Sequence, residues 1–387
     1  MSAKSWALAL VPLALLALLL AWIVRSGPTE ALREGVPPVE LLAIPRAVLA
    51  PEEIRLSVLN DGPDPVTIAQ VQVDDAYWAF TQSPHGPLSH LRRAEVTIPY
   101  PWVQGETHVV KLVTSTGLTF EHEIAVAVPT PRPSLRFLGI FALIGLYVGV
   151  LPVTLGLLWY PLVGRLRPRA MDFLLALTLG LLLFLLVDAL DEGAEVAREL
   201  PGTYQGMALL ALGVAGAYLT LEALGGRLAA RTGSLGAAWV TALLVAVGIG
   251  LHNFGEGLAI GAALALGEAA LGSLLIVGFT LHNTTEGLAI VAPLARTPVA
   301  WPRLLGLGLI GGLPTVAGAW LGGFVYSSVL AVLFLGLGAG AIAQVVVQIA
   351  RGASGERPLA EFLVGPPVAA GLLAGFLIMY ATGMLVQ

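Results

Sequence analysis

Hydrophobic residues run through this chain in long blocks, and they alternate with polar residues only in one stretch of the N-terminal third. The first block is an uninterrupted apolar run at 6–24, between Lys4 and Arg25. The core of a signal peptide is about 7–15 residues long, whereas a membrane span needs about 20. Segment 1–26 is therefore predicted to be an uncleaved membrane anchor, with removal by signal peptidase as the alternative.

Residues 27–133 follow a different pattern, in which prolines and charged residues return and polar and apolar positions alternate. Five alternating stretches predict strands, at 54–59, 66–73, 94–98, 109–113 and 118–126. Turn sequences at 60–63 and 114–117 separate two pairs of them. Short strands with such turns predict a small all-β domain of immunoglobulin-like architecture, although the Cys and Trp pattern of that fold is absent. Prolines at 129, 131 and 133 predict a stiff linker.

Residues 134–387 are almost wholly apolar and predict an all-α polytopic membrane domain. Eight spans are predicted, at 136–162, 172–190, 204–224, 236–265, 272–294, 304–325, 329–350 and 366–386. The gaps on one side of the predicted membrane carry Arg165, Arg167, Arg169, Arg227, Arg231, Arg296, Arg303, Arg351 and Arg357, and those on the other side carry only Arg198. This bias predicts a cell (inner) membrane protein with its N-terminus inside and its β domain and C-terminus outside.

The composition supports a membrane protein and excludes several classes of function. Hydrophobic residues make up 57% of the chain and charged residues 12%, whereas a soluble domain has about 25% charged residues. With a net charge of −5, the chain has no basic surface for nucleic acid, and the lipid bilayer is its expected partner. The absence of Cys excludes disulfides and thiolate metal sites, so the six His residues are the only nitrogen-type side-chain ligands for a soft or borderline metal.

One motif, His-Asn-x-x-Glu-Gly, occurs twice, at 252–257 and at 282–287. Helical spacing puts the His and the Glu of each copy one turn apart on one face, with the Asn on its flank. The copies lie on successive antiparallel spans, each roughly 20 Å from the turn that joins them and so near mid-bilayer. We therefore expect six polar side chains to converge there: His252, Asn253, Glu256, His282, Asn283 and Glu286.

The two motif acids have no basic partner nearby in the sequence. Between Thr232 and Ala295 the charged residues are three Glu, with no Lys or Arg. An ionised Glu within a span costs at least about 2.5–3.5 kcal/mol, so Glu256 and Glu286 are either protonated or neutralised by a bound divalent cation. His nitrogen together with carboxylate oxygen suits Zn²⁺, Fe²⁺, Mn²⁺ and similar ions. The alternative is a pair of packed, hydrogen-bonded His residues without a ligand.

The repeated motif on the fourth and fifth of eight spans resembles the ZIP family of divalent metal transporters, over residues 136–387. The family pattern is His-Asn-x-Pro-Glu-Gly. The resemblance implies an eight-helix bundle, a metal site at the membrane midplane, and movement of a divalent ion into the cytoplasm. The residues that it assigns to the principal site are His252, Glu256 and Glu286, and to the remaining ligands Asn253, His282 and Asn283.

The sequence departs from the family pattern around the expected site. Gly255 and Thr285 replace the motif proline, so the expected helix kink is in question. Thr315 in the sixth span stands where many relatives carry a Glu, and Asn283 stands where some carry an acid. Because both changes remove charge from the second metal position, we predict one strong site rather than two.

Two further polar stripes resemble transport-path elements. The first lies at the outer end of the second span and contains Asp188, Asp191, Glu192 and Glu195. An entrance for metal is one interpretation, and an exposed acidic helix end is the other. The second stripe, Gln344 and Gln348, lies towards the inner end of the seventh span, and it forms either an exit path or interhelical hydrogen bonds.

The function that we expect is transport of a divalent transition metal, with Zn²⁺ first, and no cofactor beyond the transported ion. No nucleotide-binding motif is present, and the protein is not expected to be an enzyme. A membrane metalloenzyme and a metal sensor that uses the same site are the alternatives, and a homodimer is an open question. The remaining His residues lie in the β domain without ligand spacing, although His108 and His122 can approach across a hairpin.

Overall fold

A computed structural model describes residues 3–26, 37–231, 234–266, 269–325, 327–355 and 358–384. Within these residues, eight helices are long and apolar enough to cross a membrane. This confirms the predicted bundle of eight apolar helices, an architecture typical of multi-pass membrane proteins. The spans, numbered from first to eighth, are Leu135–Val163, Pro168–Glu199, Gly202–Leu228, Gly236–Ala265, Gly272–Leu294, Trp301–Phe324, Ser328–Ser354 and Pro366–Gly383.

An additional apolar helix, Ala3–Ser26, precedes the β domain. Its described side chains between Val11 and Ile23 are exposed, as expected for a helix that a bilayer would cover. Its role as an anchor stays a prediction. Residues 27–36 and 385–387, at the edges of the predicted β domain and of the eighth span, lie outside the described residues.

The first and sixth spans are interrupted within their length, whereas the two spans that carry the repeated motif have continuous α-helices. The first span contains the α-helices Leu135–Gly145, Leu151–Leu157 and Tyr160–Val163, with a π turn at Leu146–Val150. The sixth consists of Trp301–Gly312 and Pro314–Phe324, and its break falls at a proline, which cannot continue the backbone hydrogen bonds. The motif helices Ser234–Ala265 and Ala269–Val291 are continuous, in agreement with the absence of the motif proline. The other helices are Pro168–Glu199, Gly206–Arg231, Ser328–Ser354, Leu359–Leu363 and Pro366–Gly383, with 3₁₀ turns at Gly202–Tyr204 and Ala292–Leu294.

The spans pack in two groups of four. The first, fifth, sixth and fourth spans are linked by contacts into one group, and the second, third, seventh and eighth into the other. Glycines permit this packing: a Cβ atom built on Gly156 would lie 2.2 Å from the Thr284 carbonyl oxygen, and one on Gly340 would lie 2.1 Å from the Val214 carbonyl oxygen. Small residues let helices approach closely within a membrane. The fourth and seventh spans form the largest contact between the two groups.

The β domain contains two four-stranded antiparallel sheets, in the orders β1-β2-β6-β5 and β4-β3-β7-β8. The strands β1 to β8 are Leu42–Ala50, Glu53–Asn60, Ile68–Val73, Ala76–Trp78, Thr81–Ser83, Arg93–Ile98, His108–Thr114 and Thr119–Ile124. Both sheets contribute alternate residues to one apolar core, among them Leu56, Val71, Val96 and Leu112. The antiparallel β region is confirmed, and all five predicted strands are present. Strand β1 was not predicted, because Pro45 and Arg46 interrupt its alternation of polar and apolar residues. Its pairing with β2 shifts register between Ala43 and Arg46.

Both predicted turns join the strands that they were predicted to separate, but only one of them forms a hairpin. Residues 114–117 connect the paired strands β7 and β8, as predicted. Residues 60–63 lead from β2 to β3 in the other sheet, so this turn connects the two sheets rather than two paired strands. The buried Asn60 amide fixes this crossing by donating to the Asp64 carbonyl oxygen at 2.8 Å and to the Leu88 carbonyl oxygen at 2.7 Å.

Hydrogen bonds tie the β domain to the ends of the spans. The Asp61 carboxylate accepts from the backbone N–H groups of Gly202, at 2.8 Å, and Thr203, at 3.2 Å, at the start of the third span. The Arg46 guanidinium donates to the carbonyl oxygens of Phe324 and Val325, at 3.1 and 3.2 Å, where the sixth span ends. These carbonyls have no further helical turn to bond to, so an Arg is a suitable cap. The β domain is thus fixed to both groups of spans.

The hairpin between β3 and β4 turns at Asp74 and Asp75, both of which have positive φ, as a tight hairpin requires. The Asp74 carboxylate accepts from Val109 N–H at 2.9 Å and from the Tyr100 hydroxyl at 2.8 Å. It also lies 2.7 Å from Nδ1 of the buried His108. Asp74 and His108 therefore form a polar link between strands.

This link makes the stability of the β domain dependent on pH. Burial raises the pKa of Asp74, but hydrogen bonds from Val109, His108 and Tyr100 outweigh it, and the net pKa is lowered. The carboxylate therefore stabilises the fold above its unfolded pKa of about 4, and this stabilisation is lost as the pH falls through the folded value. We expect Asp74→Asn to accelerate hydrogen exchange in strands β3 and β7 at pH 7, and we expect its difference from wild type to shrink as the pH falls below about 4, measured by mass spectrometry on the full chain.

Asp75→Asn is the matched control for this experiment. Asp75 pairs with Lys111 at 2.8 Å, but its side chain is 82% exposed, and exposed ion pairs contribute little. Exchange at pH 7 should therefore stay near the wild-type rate. Equal protection in Asp74→Asn and wild type at pH 7 would contradict the role given to Asp74.

Candidate metal centre

The two motif copies face each other from the fourth and fifth spans. His252, Glu256 and His282 each offer one ligand atom, and these atoms all lie within 4.8 Å of one another. The Nε2 atom of His282 contacts Oε1 of Glu256, and Nε2 of His252 lies 3.4 Å from the same oxygen. All three side chains are buried. Two imidazoles and a carboxylate form a donor set that suits Zn²⁺ and the neighbouring divalent transition metals.

The two motif Asn residues fix this cluster to adjacent spans. Asn283 Nδ2 donates to Oε2 of Glu256 at 2.9 Å and to the Val148 carbonyl oxygen at 3.0 Å, within the π turn of the first span. Asn253 Nδ2 donates to the Gly311 carbonyl oxygen of the sixth span at 3.1 Å. Both amide oxygens are buried and lack a hydrogen-bond partner within the described residues. Each Asn therefore keeps an oxygen that a cation could use.

Glu286 is the last of the six motif residues, and its side chain has more buried polar atoms without a hydrogen-bond partner than any other of the six. It is 2% exposed, and neither carboxylate oxygen has a hydrogen-bond partner in the described part of the chain. It lies close enough to Glu256, His252 and His282 to interact with them electrostatically. A buried carboxylate without a partner is costly. A cation between the motifs would offset this cost.

The glycine that follows each motif Glu brings a neighbouring span close to the cluster. A Cβ atom built on Gly257 would lie 2.1 Å from the Thr315 carbonyl oxygen, and one on Gly287 would lie 2.1 Å from the Val153 carbonyl oxygen. These two glycines therefore permit a close helix approach, whereas a Cβ atom on Gly255 would meet only Leu335 at 3.4 Å. The Thr315 hydroxyl is fully buried beside this contact and lacks a partner among the described residues.

Only some acids of the stripe on the second span lie near the His/Glu cluster. Asp188 and Glu192 are exposed on the bundle surface, yet both lie within electrostatic range of the buried His252. Glu192 also interacts with Glu256. Asp191 is exposed on the same helix and does not belong to the cluster. Their role as an entrance stays a prediction.

Gln344 and Gln348 belong to a hydrogen-bonded network between spans. Gln344 Nε2 donates to Gln348 Oε1 at 2.9 Å and to Oε2 of Glu222 at 3.3 Å, and Gln348 Nε2 donates to the Thr241 hydroxyl at 3.0 Å. The interhelical interpretation therefore has direct support. Gln348 also lines a cavity of about 560 Å³ between the second, fourth, fifth and seventh spans, so the exit-path interpretation stays a prediction.

Sequence reasoning missed Glu222, which pairs with Arg351 at 2.8 Å in this network. An acid inside the apolar run of the third span was the available signal, because charged residues in spans are seldom there without a role. In the β domain, His108 and His122 occupy diagonal positions, opposite Ile124 and Val110 on the paired strands. Neither joins a metal-capable group within the described residues.

The fold and this centre define a multi-pass membrane protein with a buried His/Glu cluster between two of its spans. No protein-family model matches the chain, and no curated protein matches it either. The likeness of the two motifs to the ZIP family therefore stays a prediction, and the geometry of the cluster is what bears on function.

Proposed function

We propose that this protein transports a divalent transition metal ion, Zn²⁺ in the first place, as a member of the ZIP family. One observation carries the proposal. Within the membrane-spanning bundle, the ligand atoms of His252, Glu256 and His282 lie within 4.8 Å of one another, beside the unpartnered carboxylate of Glu286. Because the fourth and fifth spans contain no Lys or Arg, a divalent cation is the natural source of positive charge at this depth.

Polar features at both ends of the bundle support transport. On the β-domain side, Asp188 and Glu192 are exposed but within electrostatic range of His252, so they can attract a cation and pass it inward. At the opposite end, the cavity lined by Thr241 and Gln348 opens between the spans. We propose that the site is exposed to one side and then to the other as one group of four spans moves against the other.

The asymmetry of Arg in the loops supports a direction for this transport. Nine Arg fall in the gaps opposite the β domain and one in the gaps on its side, so the β domain would face outward and the metal would move into the cytoplasm. The strand orders β1-β2-β6-β5 and β4-β3-β7-β8 correspond to the A-B-E-D and C′-C-F-G orders of immunoglobulin sandwiches. They support the proposal of an immunoglobulin-like extracytoplasmic domain.

Metal uptake into proteoliposomes tests this function directly. Wild-type protein is expected to give saturable uptake from a panel of Zn²⁺, Fe²⁺, Mn²⁺, Co²⁺ and Cd²⁺, and a Glu256→Ala, Glu286→Ala variant to give only background, because both anionic ligands are lost. The matched control is Glu121→Ala, Glu123→Ala, which removes two exposed acids from strand β8. It should retain uptake at the wild-type rate.

Equilibrium binding on the same preparations separates transport from the alternatives. Tight metal binding by wild type without any uptake, in correctly oriented vesicles, would contradict transport and favour a sensor. Turnover of a second substrate at the bound metal would instead favour an enzyme. Loss of uptake in the β8 control would show that the assay reports general damage rather than the site.

A further inference from the structure

A second cavity, of about 720 Å³, lies between the β domain and the ends of the spans. Its walls are the β1-β2-β6-β5 sheet, the connection between the second and third spans, and the connection between the sixth and seventh spans. Its volume is in the range of about 300–1,000 Å³ that is usual for small-molecule sites. The metal centre shares no lining residue with it.

Arginines dominate the charge of this cavity. Arg46, Arg55 and Arg93 line it together with a single acid, Glu95, so three positive charges face one negative charge. Arg55 is paired with Glu53 and lies 3.9 Å from Glu95. For Arg46 and Arg93, the described residues provide no carboxylate within ion-pair distance. The cavity therefore holds two cations without a counter-ion.

Neutral oxygens hold these two arginines in place without using all of their donors. Arg46 donates one bond from each terminal nitrogen to the carbonyl oxygens of Phe324 and Val325, and Arg93 donates to the Tyr204 hydroxyl. A guanidinium has five N–H groups, so each side chain retains donors for a ligand. Burial lowers the pKa of Arg46, as expected for a partly desolvated cation without an anionic partner.

The first turn of the seventh span forms another part of the wall. Residues 327–330 line the cavity, and Ser327 caps the 27-residue helix by accepting from Leu330 N–H at 3.5 Å. The other N–H groups of a first turn have no partner within the helix, and the helix dipole favours an anion there. Backbone donors therefore add to the two arginines on the same cavity.

We propose that this cavity binds a phosphate group, which is presented by an anionic phospholipid of the adjoining leaflet or is free in solution. The planar fork of an arginine matches two phosphate oxygens, and a helix N-terminus adds further donors. Because the walls lie where four spans end, the cavity is level with the lipid headgroups. Val325, Val329 and Leu330 give it an apolar side on which the acyl chains of a lipid can rest.

Native mass spectrometry of the full chain in neutral detergent tests this proposal. The probes are phosphatidylglycerol and a phosphatidylcholine with the same acyl chains, and inorganic phosphate is titrated separately by calorimetry. Wild type is expected to prefer phosphatidylglycerol or to bind inorganic phosphate. The Arg46→Gln, Arg93→Gln variant should bind about tenfold or more weakly, because charge-assisted hydrogen bonds are lost.

Two controls separate lost charge from lost packing. Arg92→Gln removes an exposed neighbour that does not line the cavity, and Tyr204→Phe breaks the Arg93 hydrogen bond but keeps the charge. Both should bind like wild type. Because Arg46 also caps the sixth span, Arg93→Gln alone provides a second variant, with an intermediate loss.

Each outcome decides the proposal or the source of the phosphate. An arginine-dependent preference for phosphatidylglycerol without phosphate binding supports a lipid headgroup. Arginine-dependent binding of inorganic phosphate without a lipid preference supports a free phosphate. Equal binding of both lipids and no phosphate binding by wild type, or binding that the arginine variants leave unchanged, would overturn the proposal. None of these readouts depends on metal transport.

Discussion

Glu256→Gln is expected to weaken Zn²⁺ binding by about a hundredfold or more, because removing one partner from a buried charged cluster costs about 3 kcal/mol or more. Its carboxylate is the one that both motif His residues approach: His282 Nε2 contacts Oε1, and His252 Nε2 lies 3.4 Å from the same atom. Asn283 bonds the second oxygen at 2.9 Å. Gln keeps the shape but carries one oxygen and no charge, so the cluster loses its central anionic donor.

Two measurements on detergent-solubilised protein report this loss. Equilibrium dialysis gives the affinity, and the shift of Tm with added Zn²⁺ reports binding to the folded state. Wild type should show a metal-dependent rise in Tm that Glu256→Gln lacks. Glu222→Gln is the matched control, since Glu222 is an acid within a span that pairs with Arg351 and lies outside the cluster. It should retain the wild-type affinity.

The same experiment can reject the metal centre. If His252, Glu256 and His282 only pack and hydrogen-bond, Glu256→Gln would lower the Tm of the metal-free protein, and Zn²⁺ would leave the Tm of wild type unchanged. Such a result would remove the basis for transport through this site. It would leave the fold and the phosphate proposal untouched, because the arginine cavity lies between the spans and the β domain.

The sequence was sufficient to locate the cluster because its geometry follows from regular structure. A spacing of four residues within a helix and similar distances from a shared turn place both motifs at one depth, whatever the remaining spans do. The spans themselves followed from hydropathy, which needs no knowledge of packing. These steps required only helical spacing, hydropathy and the antiparallel arrangement of the fourth and fifth spans.

Contacts between distant segments could not be predicted in this way. The Asn283 bond to Val148 depends on a π turn in the first span, which no sequence feature marked. The bonds from Arg46 to the end of the sixth span join residues that are 278 and 279 positions apart. The same Arg interrupts the alternation of strand β1, so that strand was not predicted. The turn at Asn60 was predicted between the strands that it joins, but turn residues reveal only that the chain bends, and they leave open whether the two strands pair in one sheet.

Gly257→Ala is expected to destabilise the bundle by about 1–3 kcal/mol or more, as overpacking of a tight interior does. The added Cβ atom would lie 2.1 Å from the Thr315 carbonyl oxygen and 2.9 Å from the Ala319 nitrogen. Both are backbone atoms, so no rotamer change can relieve the overlap. The fourth span would have to move away from the sixth, which also strains the 3.1 Å bond from Asn253 to the Gly311 carbonyl oxygen.

Gly216→Ala is the matched control for this prediction, because it adds the same methyl group to a membrane helix with open space around it. A Cβ atom built on Gly216 would meet nothing within 4 Å, and Ala is favoured over Gly within a helix by about 1 kcal/mol. The two variants should therefore shift Tm in opposite directions, down for Gly257→Ala and level or up for Gly216→Ala. Since Gly257 adjoins Glu256, the first variant should also weaken Zn²⁺ binding, whereas the second should not. A Gly257→Ala protein with wild-type Tm would show that the fourth and sixth spans do not pack at this distance.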